Sequence, residues 1–165
     1  TSRVQALQNV STATVWGLQT SVHYKIGRDL FIQSFANWIN GKETDDIRNE
    51  QVPLRHAAPF YGNTNLRYSR NKVFIEFTAM YNGEVSADEL APVEQAKIDI
   101  YAKDANGKPY SPSWYTINLR TSYQLDPKTS FTASWENITN QRYRPYSSGI
   151  VAAGSNLIFA VRRSF

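Results

Sequence analysis

Few residues in this chain are of a type and spacing that could do chemistry. The two histidines, His23 and His56, have no partner at metal-ligand spacing, so each reads as a solvated side chain rather than a ligand. Cysteine is absent, which removes thiolate metal sites and any disulfide framework. Glu43, Asp45, Asp46 and Glu50 form an acidic run that could attract Ca²⁺, but without the regular ligand spacing of a calcium loop it reads as a solvated face. Ser, His and Asp occur without a nucleophile elbow, and "GIVAAG" lacks the Lys and following helix of a phosphate cradle. Asn9-Val-Ser and Asn137-Ile-Thr are formal glycosylation sequons, the second inside an expected strand. The sequence therefore offers no catalytic residue, no metal site and no cofactor site, and it does not read as an enzyme.

Composition shifts attention from chemistry to surfaces. Aromatics make up 13% of the 165 residues, with ten Tyr, eight Phe and four Trp. Tyr and Trp concentrate where an apolar zone meets water. The net charge is +4, but Lys and Arg are scattered singly, so no stripe for nucleic acid forms. Apolar runs such as "LIFAV" are far too short for a spanning helix. Any membrane crossing would have to be made by strands.

Period-two alternation supplies those strands. In "SWYTINLRTSYQL", Tyr115, Ile117, Leu119, Thr121, Tyr123 and Leu125 fall on one face; Thr116, Asn118, Arg120, Ser122 and Gln124 fall on the other. Residues 14–26, 60–69, 72–81, 130–138 and 156–165 alternate similarly, and Leu30 to Ile39 is apolar on both faces, leaving its orientation open. Seven strands result, joined alternately by short turns ("GRD", "SRNK", "DPKT") and long connections at 40–59, 82–112 and 144–155. A two-layer sandwich does not force that alternation, whereas it is expected of an outer-membrane barrel, with tight turns at one rim and long loops at the other. The fold expected is all-β: an antiparallel up-and-down meander of about seven strands forming part of a transmembrane β-barrel, preceded by a loop remnant at 1–13. Within the longest connection, "SADELAPVEQAK" carries a Ser-x-x-Glu capping box with Pro92 limiting any helix to about a turn. "IDIYAKDANGKPY" leads into Asn106-Gly107, a hairpin signal.

"WENITNQRYRPY", the Gly-containing "SSGIVAAGS" and the terminal strand to Phe165, together with "YAKDANGKPYSPSWYTINLRTSYQL" and "VWGLQTSVHYKI", resemble the C-terminal end of the barrel of TonB-dependent outer-membrane receptors. Ile138-Thr139 departs from the family's usual Leu-Phe, and Arg163 stands where an aromatic is commoner. The resemblance implies a bacterial outer-membrane location and a role in importing a scarce nutrient (siderophore, haem, cobalamin or glycan). The partners implied are membrane lipid, the remainder of the barrel and its plug, the barrel-assembly machinery, and a TonB-type energy coupling through parts outside this sequence. No plug is present here, and Thr1 looks like a cut or boundary. In the family, an aromatic terminus behind alternating apolar residues is read by the assembly machinery, which assigns that role to Leu157, Phe159, Val161 and Phe165. Arg67, Glu76, Asn118, Arg120 and Gln124 are the polar residues expected to face the lumen, and Tyr101, Tyr110, Tyr143 and Tyr146 the loop aromatics that could meet a ligand. Two rival readings are a soluble β-sandwich ligand-binding module and the end of a porin-like channel. The sandwich requires Tyr115, Ile117 and Leu119 to pack against a second sheet.

Overall fold

The computed structural model describes residues 12–45 and 49–165. The Asn9 sequon, Asp46 of the acidic run and residues 1–11 of the expected loop remnant lie outside them.

The described residues form ten strands in chain order: β1 (Ala13–Ile26), β2 (Leu30–Asp45), β3 (Glu50–Pro53), β4 (Tyr61–Arg70), β5 (Val73–Asn82), β6 (Ala102–Lys103), β7 (Pro109–Tyr110), β8 (Trp114–Asp126), β9 (Thr129–Glu136) and β10 (Asn156–Arg163). The main sheet runs β1-β2-β4-β5-β8-β9-β10, every neighbour antiparallel, with β3 paired to the far end of β2. β6 and β7 form a separate hairpin. A one-turn helix, α1 (Pro92–Gln95), is the only α-helix among the described residues. None of their helices is long and apolar enough to cross a membrane, which does not bear on crossing by strands.

Two of the short turns depend on left-handed backbone, supplied by Gly27 (φ 66°) after β1 and Asn71 (φ 53°) after β4. In the third, Asp126 Oδ1 accepts from the Lys128 N–H at 2.8 Å. The long connections all lie at the opposite rim. There the structure departs from the sequence reading in three places. The first part of the expected 40–59 loop is strand: β2 continues to Asp45 because its end pairs with β1 on one side and β3 on the other. The strand expected to run to Ile138 stops at Glu136, because Asn137 takes positive φ (48°) and ends the extended chain. "IDI" is turn rather than strand, so the Asn106-Gly107 hairpin is only two residue pairs long. Gly107 occupies positive φ (79°) at its tip.

Register joins equivalent positions into rows across the sheet. One row reads Tyr24, Ile32, Leu66, Phe77, Leu119, Trp135 and Leu157, one residue from each long strand. The next reads Ile26, Leu30, Tyr68, Ile75, Thr121, Ala133 and Phe159. Pairing thus settles the orientation of β2: Leu30 and Ile32 join the apolar face, and Phe31 and Gln33 the other. On the polar face, Lys25, Phe31, Arg67, Glu76, Arg120, Ser134 and Ile158 form one row.

Among the described residues no second sheet covers the apolar face. Tyr115 is 53% exposed, Ile117 37%, Leu157 62% and Phe159 75%. The buried apolar residues among those described, Val85, Leu90, Ala91 and Tyr101, all lie in the 83–113 connection. The β-sandwich reading is therefore overturned, because a sandwich needs these apolar rows in a dry seam between two sheets. Along β8 the apolar face runs Tyr115, Ile117, Leu119, Thr121, Tyr123 and Leu125, and along β1 Trp16, Leu18, Thr20, Val22, Tyr24 and Ile26. An aromatic stands near each end of both faces, and Tyr123 is eight residue steps along from Tyr115, roughly 26 Å of strand.

Candidate functional site

The polar face carries a connected set of side chains. Arg67 donates through Nε (2.9 Å) and Nη2 (2.6 Å) to Glu76 Oε2, its register partner on β5. Arg120 stands opposite Glu76 on the other side, so the carboxylate lies between two guanidinium-bearing positions. One level up, Thr78 Oγ1 donates to Asn65 Oδ1 (2.8 Å), whose amide donates to Asn63 (3.1 Å). Asn118 Oδ1 accepts the backbone N–H of Asn137 at 2.8 Å. Of these residues Glu76, Thr78, Asn118, Arg120 and Asn137 border a cavity of about 420 Å³ that also touches Glu136, Asn156 and Tyr143.

Asn137 is the joint between this face and the loop after β9. It is buried, its amide donates to the carbonyls of Gln141 (2.9 Å) and Ala153 (3.0 Å), and its Oδ1 accepts from the Gln141 N–H (2.9 Å). Asn tolerates the positive φ found here better than most residues. The sequon reading of Asn137 placed it in a strand; it lies one residue past β9, with its side chain enclosed and committed.

Above the rim, the long connections pack into a cap. Ser86 opens a 3₁₀ turn at Ala87–Glu89, with its backbone N–H donating to Glu89 Oε2 at 3.0 Å, the return half of the capping box. The chain breaks at Leu90 and restarts with Pro92 at the head of α1, where a missing N–H does no harm. Leu90, Val85 and Tyr101 form a small apolar core, with Ile100 and Tyr146 against it.

Beside that core sits Glu94, fully buried. Its carboxylate accepts from Lys97 Nζ (2.6 Å), Tyr101 Oη (2.7 Å), Arg55 Nε (3.1 Å) and Ser147 Oγ (3.2 Å). His56 lies against it too, its Nε2 3.9 Å from the carboxylate and its Nδ1 3.1 Å from Ser147 Oγ. Three separate connections, 54–60, 83–113 and 137–155, thus meet on one carboxylate. Burial pushes the Glu94 pKa up, but hydrogen bonds from Lys97, Tyr101 and Arg55, with the Lys97 charge, outweigh it and hold the group at about 2. Burial, then the bond to Glu94, pushes the Tyr101 phenol up. Sequence reasoning missed Glu94; its only trace was a Glu spaced three residues before a Lys in an apolar setting.

A second cavity, about 390 Å³, lies between the cap segments, lined by Tyr101, Trp114, Gln141, Arg142, Tyr143 and Arg144 among others. Trp114 and Tyr143 stack at 4.0 Å between centroids, 26° apart in plane. Tyr143 borders both cavities.

The expected site residues fall into groups accordingly. Arg67, Glu76, Asn118 and Arg120 come together on the polar face. Gln124 does not join them; it bonds the backbone carbonyls of Asp126 and Thr129 at the turn. Of the loop aromatics, Tyr101 is buried and bonded to Glu94, Tyr146 packs against it at 6.4 Å, Tyr110 lies in the small hairpin, and Tyr143 lines both cavities. Leu157, Phe159 and Val161 continue the apolar face, and Phe165, just beyond β10, is fully exposed.

An open antiparallel meander with an exposed apolar face, a polar face and a one-sided cap is the fold of a wall segment of a transmembrane β-barrel. Solved structures with this arrangement include the copper transporter OprC, which the chain matches at a TM-score of 0.73 and 14% identity over 93% of its own length. The ferric citrate transporter FecA matches at 0.67 and 14% over 92%, and the siderophore receptor PiuA from Acinetobacter baumannii at 0.62 and 13% over 92%. At such identities the likeness is one of fold, and the chain spans only 22–24% of the length of these proteins. No family model and no curated protein matches it.

Proposed function

We propose that this chain is barrel wall from the C-terminal part of a TonB-dependent receptor of the bacterial outer membrane. The whole receptor imports a scarce nutrient of the siderophore, haem, cobalamin or glycan class. This portion does no chemistry and holds no cofactor. It supplies lipid-facing wall, a lumen-facing polar surface against which a plug rests, and part of the external cap. Its partners are lipid, the rest of the barrel, the plug, the barrel-assembly machinery that reads the Leu157-to-Phe165 strand, and TonB through the plug.

The observation that carries the reading is the row Tyr24, Ile32, Leu66, Phe77, Leu119, Trp135 and Leu157, apolar on every strand and uncovered by protein. A contiguous apolar surface of this extent marks a membrane or a large interface, and the aromatic brackets match the girdles of such barrels. That the structures matched are transporters and receptors favours a plugged receptor over a porin-like channel.

The test is spin labelling of the full-length protein in lipid. A label at Leu119 should be reached by oxygen and not by a water-soluble nickel reagent, and one at Asn118 the reverse. Equal access of the nickel reagent to both would sink the proposal. Import is tested by deleting the gene and, separately, the energy-coupling protein: growth on the limiting nutrient must fall in both strains.

A further inference from the structure

The cavity between the cap segments has a chemistry of its own. Two arginines, Arg142 and Arg144, line it, and among the described residues no acidic one does. Neither has an acidic partner among the described residues; Arg144 Nη1 instead donates to the carbonyls of Asp99 (3.0 Å) and Ile100 (3.3 Å), which fixes it without cancelling its charge. The luminal cavity below differs, since its lining mixes Arg120 with Glu76 and Glu136. One wall of the upper cavity is the Trp114–Tyr143 stack, and the indole Nε1 of Trp114 is out of solvent with no hydrogen-bond acceptor. A buried donor of this kind is uncommon in a finished protein interior.

We propose that this cavity is a preformed site for a small ligand that carries a carboxylate or phenolate on a planar ring. Unpaired guanidinium groups recognise the anion. The Trp114 and Tyr143 rings give the planar part a flat wall. A volume of about 390 Å³ suits a ligand of that size. The walls are already held: Tyr101 is bonded to Glu94, Arg144 to the backbone at Asp99 and Ile100, and Tyr143 to Trp114 by stacking. Ordering these loops is therefore not a cost of binding. The inference rests on the receptor reading and deepens it: of the nutrient classes named there, it favours those whose molecules present anionic rings and disfavours neutral glycans.

The experiment is calorimetric titration of the full-length protein in detergent with salicylate, its neutral twin salicylamide, and cyclohexanecarboxylate. Salicylate should bind at least about tenfold more tightly than either, because one lost charged contact or ring wall is worth about that factor. Arg142→Gln, whose side chain carries no structural bond, should weaken salicylate by a similar factor, and Arg144→Gln by as much or more. Three results would overturn the proposal: no salicylate binding in the millimolar range, equal binding of salicylate and salicylamide, or binding untouched by Arg142→Gln. Equal binding of cyclohexanecarboxylate would overturn the ring requirement. The spin labels at Leu119 and Asn118 report separately: if they keep their opposite accessibilities while salicylate fails, the anion site is wrong and the receptor reading stands.

Discussion

The Tyr101 phenol donates to the Glu94 carboxylate across 2.7 Å, and both residues are buried although they sit in a long connection outside the main sheet. This pair turns the cap into a packed body. Replacing Glu94 by Gln keeps the volume but leaves Lys97 and Arg55 without their anion and turns an amide N–H toward donors. Both cations are partly exposed, so water offsets much of the loss. The expected cost is about 2 kcal/mol of local stability, confined to the cap. Hydrogen exchange in the full-length protein should show faster exchange at the Lys97 and Ile100 amides, with β8 unchanged. Unaltered exchange in the cap would contradict the role given to Glu94.

Acid should do reversibly what that substitution does permanently. Glu94 is held at about 2, below its ordinary value of 4.5. A group with a lowered folded-state pKa contributes stability that is complete above the ordinary value and is lost as pH falls toward the folded one. Protease susceptibility of the cap should be flat down to about pH 4.5 and rise steadily between there and pH 2. Glu94→Gln should be susceptible throughout and show no further rise from this group. A cap equally resistant at both ends of that window would contradict the assignment.

The strands were legible in the sequence because period two is written directly into Tyr115, Ile117 and Leu119 against Thr116, Asn118 and Arg120. The orientation of β2 was not, since Phe31 and Phe35 are apolar on the polar face, and only pairing with Arg67 and Asn63 shows which way they turn. The extension of β2 to Asp45 was hidden for a related reason: strand state there depends on partners in β1 and β3, not on local pattern. The cap was the least legible part. Arg55, Glu94 and Ser147 are far apart in sequence, and nothing local distinguishes Glu94 from the solvated acids around it. Tyr101 looked like one loop aromatic among four; its burial follows from Leu90 and Glu94, which only the fold brings beside it.

Sidedness predicts an asymmetry between adjacent residues. Leu119 lies mid-strand on the apolar face and Asn118 beside it on the polar face. Arg at Leu119 should cost about 2–4 kcal/mol in lipid, the range for a basic residue near the bilayer midplane. Arg at Asn118 escapes that penalty and loses only its local hydrogen bonds, about 1 kcal/mol. Folding yield and urea unfolding of the full-length protein in lipid vesicles measure both. Comparable losses for the two variants would place both faces in the same solvent and exclude the barrel wall.

Asn137 offers a test of how the loop after β9 is held over the polar face. Its amide donates to Gln141 and Ala153, its carbonyl oxygen accepts from Gln141, and its backbone sits at φ 48°. Ala removes these side-chain bonds, with the long one from Thr139 Oγ1 (3.5 Å), and places a residue poorly suited to positive φ, for an expected loss of about 2 kcal/mol. Asp retains the acceptor but loses both donations and sets a charge against two carbonyls, so it should be no better than Ala. Gly relieves the backbone while losing the same bonds, so it should fall between Ala and wild type. If the side-chain bonds matter, all three variants free the 141–153 segment and expose the Tyr143 ring, read as faster exchange there. If only the backbone matters, Gly equals wild type, and Asn137 is then a turn former with no hold on the loop.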